Sequence, residues 1–194
     1  YSAAGTIIEV GTGISDLLVG QRVACAGNQY AFHAEIIRVP RNLVVPLPDG
    51  LPFKAASTVT LGAIALQGVR RLTPTLGETF AVIGLGILGQ LAAQILRANG
   101  CKVIGLDTYA GRSQVAVEGG MDCAIDPDDA NAVKAAMLRT GGIGTDGVIV
   151  TAATPSDEVI SKAFQMCRRK GRVVLVGDVG LDLQRADIYA KELD

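Results

Sequence analysis

Tryptophan is absent from this 194-residue chain and aromatic side chains make up only 4% of it, which argues against a stacking platform for nucleic-acid bases. An excess of either charge is also missing: 18 Lys and Arg oppose 19 Asp and Glu, for a formal net charge of −1. Nucleic acid and anionic membranes both call for clustered positive charge, so neither is an expected partner. Cysteine is sparse and scattered, at Cys25, Cys101, Cys123 and Cys167, with no C-x-x-C pair. That distribution suits a reducing compartment and supports neither a disulfide framework nor a structural zinc cluster. Long hydrophobic runs are lacking as well. The most apolar stretch, Phe80 to Leu96, is crowded by Gly84, Gly86 and Gly89 and interrupted by Gln90 and Gln94. It falls short of the roughly 20 apolar residues a bilayer crossing needs. No charged segment followed by an apolar one and a small-residue cleavage site opens the sequence, so a cytoplasmic location is expected. The chain begins on Tyr1 and stops at Asp194 without an obvious closing element, and it reads as a fragment.

What is abundant is glycine, 24 residues, in a chain that is 49% hydrophobic. Disorder is thereby excluded, and many tight strand-to-helix turns are expected. The first stretch reads as short strands broken by glycine: Thr6 to Val10, Gln21 to Cys25 and Phe32 to Val39, a small all-β unit. Pro46, Pro48 and Pro52 around Asp49-Gly50 mark a boundary, placing a partial β domain at 1–54 and a second domain at 55–194. From Phe53 to about Leu72, apolar residues recur at helical separations.

Beyond Gly77 strands and helices alternate. Phe80 to Ile83 is a continuous apolar run suited to a parallel strand buried on both faces. Leu88, Leu91, Ala92, Ile95 and Leu96 then form one helix face that closes on Asn99-Gly100. Further strands are expected at Lys102–Leu106, Cys123–Ile125, Gly147–Val150 and Arg172–Val176. A helix is expected from Thr154-Pro155 to Gly171, with Arg168, Arg169 and Lys170 in its last turn opposing the helix dipole. Alternation of this kind implies an α/β fold with a doubly wound parallel sheet.

The motif that carries chemistry is Gly84-Leu-Gly86-Ile-Leu-Gly89, a G-x-G-x-x-G directly after a buried strand and at the mouth of a helix. Gly84 permits the tight turn, Gly86 lets backbone approach a pyrophosphate, and Gly89 lets helix and strand pack closely. Free N–H groups and the helix dipole then favour phosphate. Asp107, at the end of the next strand, is placed to accept from both ribose hydroxyls of an adenosine and to repel a 2′-phosphate. NAD is therefore expected over NADP, with Arg112 able to stack on adenine or partly offset Asp107.

Around this motif the chain resembles the medium-chain dehydrogenase/reductases, the zinc-type alcohol dehydrogenase-like proteins. The resemblance rests on Ala4 to Gly13, Val19-Gly-Gln-Arg-Val23, Ala34-Glu35 with Val39-Pro40, and Leu76-Gly-Glu78. Thr60-Leu-Gly-Ala-Ile-Ala-Leu-Gln-Gly-Val-Arg70 is similar to the bacterial bi-domain oxidoreductases, a branch associated with sugars and surface polysaccharides. The resemblance implies a partial GroES-like β domain followed by a Rossmann domain. It implies cofactor contacts from Gly84, Gly86, Ile87, Leu88, Gly89, Asp107 and Arg112, and more loosely from Thr151, Ala152, Val176 and Asp178. The implied activity is hydride transfer between NAD and a small alcohol, carbonyl or sugar substrate, although no catalytic acid or base is identifiable. A non-catalytic NAD-binding module in regulation or assembly is the alternative. Zinc-dependent members carry a His-Glu pair where this chain has Tyr1 and Ser2, and the four-Cys structural zinc lobe has no counterpart. Cys25 and His33 alone do not make a site, so no metal is expected. Apolar surface on a partial β domain would favour self-association, and a homo-oligomer is expected.

Overall fold

The structure, a computed structural model, describes residues 1–193 in two compact units, Tyr1–Ala63 and Ile64–Asp194. In the first unit β1 (Ser2–Thr6), β2 (Arg22–Ala26) and β3 (Val44–Pro46) form an antiparallel sheet in the order β1-β2-β3. A 3-10 turn at Arg41–Leu43 leads into β3, and α1 (Phe53–Ala56) follows. The core is small: buried Val23, Cys25 and Ala31, flanked by half-buried Ile7, Ile37, Val39 and Val44.

Only the middle of the three expected strands forms as expected. The first lies earlier, at β1, because Ala3, Ala4 and Gly5 pair with Cys25, Ala24 and Val23. Its partner then turns away beyond Ile7, whose carbonyl accepts from the Gly20 N–H at 2.8 Å. Residues 32–39 are irregular, since no strand of the unit pairs with them, and β3 takes the third place instead. The helical region is interrupted at Ser57 and Thr58, whose hydroxyls donate to the Lys54 and Ala55 carbonyls at 2.9 and 2.8 Å and end α1. The division between units falls inside α2 (Val59–Leu72), nine residues past the 54/55 boundary marked by the prolines. The first turn of α2 belongs with the β unit, and Thr60 Oγ1 donates to the Cys25 carbonyl at 3.4 Å.

The second unit contains β4 (Thr79–Ile83), α3 (Ile87–Ala98), β5 (Lys102–Leu106), α4 (Ala110–Glu118) and β6 (Cys123–Ile125). It continues with α5 (Ala132–Arg139), β7 (Thr145–Val150), α6 (Glu158–Met166), β8 (Cys167–Leu175) and α7 (Arg185–Tyr189). All five strands are parallel, in the order β6-β5-β4-β7-β8. This is the doubly wound α/β sheet that the strand-helix alternation implies. Successive residues of β4 serve opposite faces: Phe80 and Val82 join Ile149, Leu96 and Val103 on one side, Ala81 and Ile83 join Val148, Ile104 and Phe164 on the other. The end of α3 is as its sequence implies. Gly100 sits at φ +80°, and the Gly100 and Cys101 N–H groups return to the Arg97 and Leu96 carbonyls at 2.9 and 3.1 Å.

The segment after β7 differs from expectation. The helix starts at Glu158 rather than Pro155, because Thr154 makes a bridge to Val179. It ends at Met166, so Arg168, Arg169 and Lys170 lie in β8 and not in a helical last turn. The ladder pairs Thr145 with Cys167 and then Gly147 with Arg172, which leaves residues 168–171 bulged out with Lys170 at φ +56°. The cations find carboxylates there: Arg168 Nε donates to Asp146 at 2.7 Å, and Arg169 pairs with Glu192 at 2.7 Å. The cation at the end of α6 is instead Lys191, whose Nζ donates to the Phe164, Gln165 and Cys167 carbonyls at 3.1, 2.6 and 2.7 Å. Among the described residues no helix is long and apolar enough to cross a membrane.

Candidate functional site

The carboxyl ends of β4, β5 and β7 open on a cleft of about 540 Å³, at the point where the strand order reverses. Its wall includes Gly84, Gly86, Asp107, Arg112, Thr151 and Ala152, six of the residues singled out from the sequence. Their convergence has a local cause. The buried strand β4 ends at Ile83, and Gly84 at φ +91° reverses the chain while its N–H donates to the Leu106 carbonyl at 2.8 Å.

The three glycines of the turn are glycine for different reasons. A Cβ at Gly84 would stand 2.6 Å from the Ala152 nitrogen, and one at Gly89 would stand 1.9 Å from the Gly84 oxygen. Both therefore serve the close approach of protein backbone. At Gly86 an added Cβ meets no protein atom within 4 Å. The missing side chain there leaves open space against the N-terminus of α3, for which Gly86 is the N-cap. Ile87 is exposed and Leu88 half-buried in the first turn of α3, and neither lines the cleft.

Two side chains hold this turn from opposite sides. Thr151 Oγ1 donates to the Gly84 carbonyl at 2.5 Å, and the Thr151 and Ala152 N–H groups donate to the Ile83 carbonyl at 2.8 and 3.1 Å. Asp107 is buried, at 8% exposure, and its Oδ2 accepts from the Leu85 N–H at 2.7 Å while Oδ1 accepts from the Tyr109 N–H at 2.8 Å. A carboxylate offers about four acceptor positions on its two oxygens, so capacity remains for further donors. Arg112 Nη1 stands 3.6 Å from Asp107 Oδ2, with its exposed guanidinium 5.9 Å from the centre of the Tyr109 ring.

Val176 and Asp178 are not brought into this cleft. Val176 turns its side chain onto the core beneath α2, where a Cβ on Gly68 would lie 2.7 Å from Val176 Cγ2. Asp178 is exposed, and its carbonyl accepts from the Thr154 N–H at 2.8 Å. Conversely, the cleft includes residues that no motif marks: Thr108, Pro127, Asp128 and Lys162. Lys162 reaches over from α6, donating to the Pro127 carbonyl at 2.7 Å and pairing with Glu158 at 2.7 Å. Thr108 and Pro127 follow the ends of β5 and β6, and that position was the available signal.

Zinc fits poorly with the donors present. Among the described residues no three His, Cys, Asp or Glu side chains come together as a metal site. Cys25 is buried in β2, and burial pushes its thiol pKa up, away from the thiolate that zinc binds. His33 is exposed and lines a separate cleft of the first unit whose other polar side chains are the hydroxyls of Tyr1, Ser2, Ser57 and Thr58.

Comparison with known proteins places this geometry in context. An alcohol dehydrogenase of Geobacillus stearothermophilus is 28% identical over 91% of this chain and 60% of its own length. A D-guloside 3-dehydrogenase of Shigella flexneri is 32% identical over 76% of the chain and 42% of its own length. The crystal structure of 2R,3R-butanediol dehydrogenase from Bacillus subtilis superposes with a TM-score of 0.81 at 27% identity, covering 98% of this chain and 61% of that one. The chain thus spans between 42% and 61% of the length of these three proteins. Residues 88–194, more than half of the chain, match the family described as zinc-binding dehydrogenase. With the α/β sheet of its structural relative as well, the chain belongs to the zinc-binding dehydrogenase family.

Proposed function

We propose that this chain carries the nicotinamide-cofactor site of an alcohol dehydrogenase-like oxidoreductase, which moves hydride between NAD(H) and a small alcohol, carbonyl or sugar. The observation that carries the reading is the glycine turn itself: backbone at Gly86 lies open to a ligand at the start of α3, and a buried carboxylate with unused acceptor capacity stands beside it. Helix N–H groups and dipole favour the pyrophosphate there. Asp107 accepts from the ribose hydroxyls, Arg112 borders the adenosine, and Gly84, Ile87, Leu88 and Gly89 shape the turn. Thr151 and Ala152 flank the far half of the dinucleotide, and no contact is assigned to Val176 or Asp178. The bound nicotinamide supplies the hydride chemistry, while the protein binds and orients it. The first unit is read as part of a GroES-like β domain and the second as the Rossmann domain. No zinc is assigned to the side chains present.

The choice of NAD over NADP follows from charge. A 2′-phosphate would meet the Asp107 carboxylate in a largely buried position, where repulsion is weakly screened. Titration by cofactor fluorescence is expected to show NADH bound at least about tenfold more tightly than NADPH, and Asp107→Ser to reduce that ratio to near one. Equal affinities in the wild-type chain defeat the assignment. Binding of NADH with no turnover on any aldehyde, ketone or keto-sugar, in the longest form of the protein that can be prepared, would favour the non-catalytic module instead.

A further inference from the structure

Gln90 lies one residue beyond the glycine motif and does not line the cleft, yet its side chain joins two of the cleft's walls. Its Nε2 donates to the Leu85 carbonyl in the glycine turn at 3.2 Å and to the Arg112 carbonyl in the first turn of α4 at 2.9 Å. Leu85 in turn donates its N–H to Asp107 Oδ2 at 2.7 Å, and Arg112 Nη1 stands 3.6 Å from that same oxygen. The four residues close a ring: glycine turn to carboxylate, carboxylate to guanidinium, guanidinium backbone to amide, amide back to the turn. One primary amide has two N–H donors, and both are used here on carbonyls from segments 27 residues apart, at Leu85 and Arg112.

Asp107 Oδ1 holds the Tyr109 N–H at 2.8 Å, and Gln90 adds a second link to the same turn. The Tyr109–Arg112 segment enters α4 with no side-chain cap at Tyr109, and α4 is mostly exposed, with Ala116 its one buried residue. Little packing therefore fixes where its first turn sits, and the hydrogen bond from half-buried Gln90 in the first turn of α3 restrains it. We infer that Gln90 is a positioning residue of the adenosine end of the site: it holds the first turn of α4 against the glycine turn, so that Asp107 and Arg112 present one fixed corner that admits two ribose hydroxyls and excludes a phosphate. The inference rests on the nucleotide reading given above. It adds that the discrimination between the two cofactors is built from a side chain that touches neither.

Two variants separate this from a merely structural role. Gln90→Met keeps the length and helix preference of the side chain and removes both donors, whereas Gln90→Lys restores donors on a stem of similar reach. Fluorescence titration of the 194-residue chain with NADH and with NADPH, alongside thermal unfolding, gives the readout. For Gln90→Met the expected result is NADH affinity lowered about tenfold and NADPH affinity changed by less than about threefold, so that the ratio narrows. Gln90→Lys is expected to keep the wild-type ratio within about threefold. A Gln90→Met chain that retains the wild-type ratio overturns the inference, whether both affinities stay the same or both fall together with the melting temperature. If the wild-type chain binds neither cofactor, or binds both alike, the nucleotide reading fails first and this inference with it. Those outcomes are read on the wild type and are therefore distinct from failure in the variant.

Discussion

The two units of this chain handle their apolar residues differently. In the second, a parallel sheet is covered on both faces, and Phe80, Val82, Ile149 and Val150 are all but inaccessible to water. In the first, a three-stranded sheet buries Val23, Cys25 and Ala31, while Ile8, Leu18, Val19, Phe32 and Ile36 stay exposed. A sheet with helices on both faces closes its own core. An antiparallel sheet of short strands, with only the single-turn α1 and the first turn of α2 as α-helix in the same unit, does not. Burial is thus concentrated in the second unit.

The sharpest way to break this contrast is to hollow each core in turn. Phe80→Ala removes a fully buried ring between β4 and its neighbours and should cost about 3–5 kcal/mol, read as a lowered urea midpoint. Val23→Ala in the first unit should cost only about 1–2 kcal/mol. If the two substitutions cost the same, the units are more alike than their burial suggests. Next in size is Gly86→Ala, which meets no protein atom within 4 Å and should leave the unfolding midpoint unchanged. The same Cβ stands where the phosphates are proposed to lie, so NADH affinity should fall by about a hundredfold, roughly 2.7 kcal/mol by titration.

The smallest effect concerns pH. Burial pushes the Cys167 thiol up to about 11, from an ordinary value of 9.0. Between those values the unfolded chain loses a proton that the folded chain keeps, so stability falls as pH rises through this window, by at most about 2–3 kcal/mol. Burial lowers the pKa of neighbouring Lys191, which has the opposite sign: there the unfolded chain holds the extra proton, and stability rises with pH toward 10.5. Urea midpoints at pH 8.5 and 10.5 should therefore drop modestly in the wild type and drop less in Cys167→Ala, where Cys25, Cys101 and Cys123, whose thiols burial also raises, still act in the same direction. A wild-type midpoint that climbs over this range would show Lys191 to dominate.

Legibility in the sequence follows the same division. The inner strands β4, β5 and β7 each announce themselves by an apolar run, Phe80–Ile83, Val103–Leu106 and Gly147–Val150, because burial on both faces disfavours polar residues there. Strand β1 reads as Ser-Ala-Ala-Gly-Thr and β3 ends in proline, so neither carries a strand signal, while residues 32–39 carry one without a partner to pair with. The basic run 168–170 was legible as a charge pattern but not as a bulge, because the bulge is set by pairing with β7. At the site, the glycines and Asp107 were readable from spacing. Lys162 and Gln90 were not, since both act on backbone carbonyls of distant segments, and a carbonyl has no residue identity to read.

The glycine turn is held from below by Thr151, from one side by Asp107 and from the other by the close fit of Gly89 on Gly84. None of these restraints requires a ligand. A molecule that docks on the turn is expected to meet backbone already held in place, so little ordering entropy should be lost on association. Its kinetic and calorimetric signature should be that of a rigid receptor: an association rate set by encounter and orientation, and a heat-capacity change accounted for by the area of the ligand and cleft removed from water.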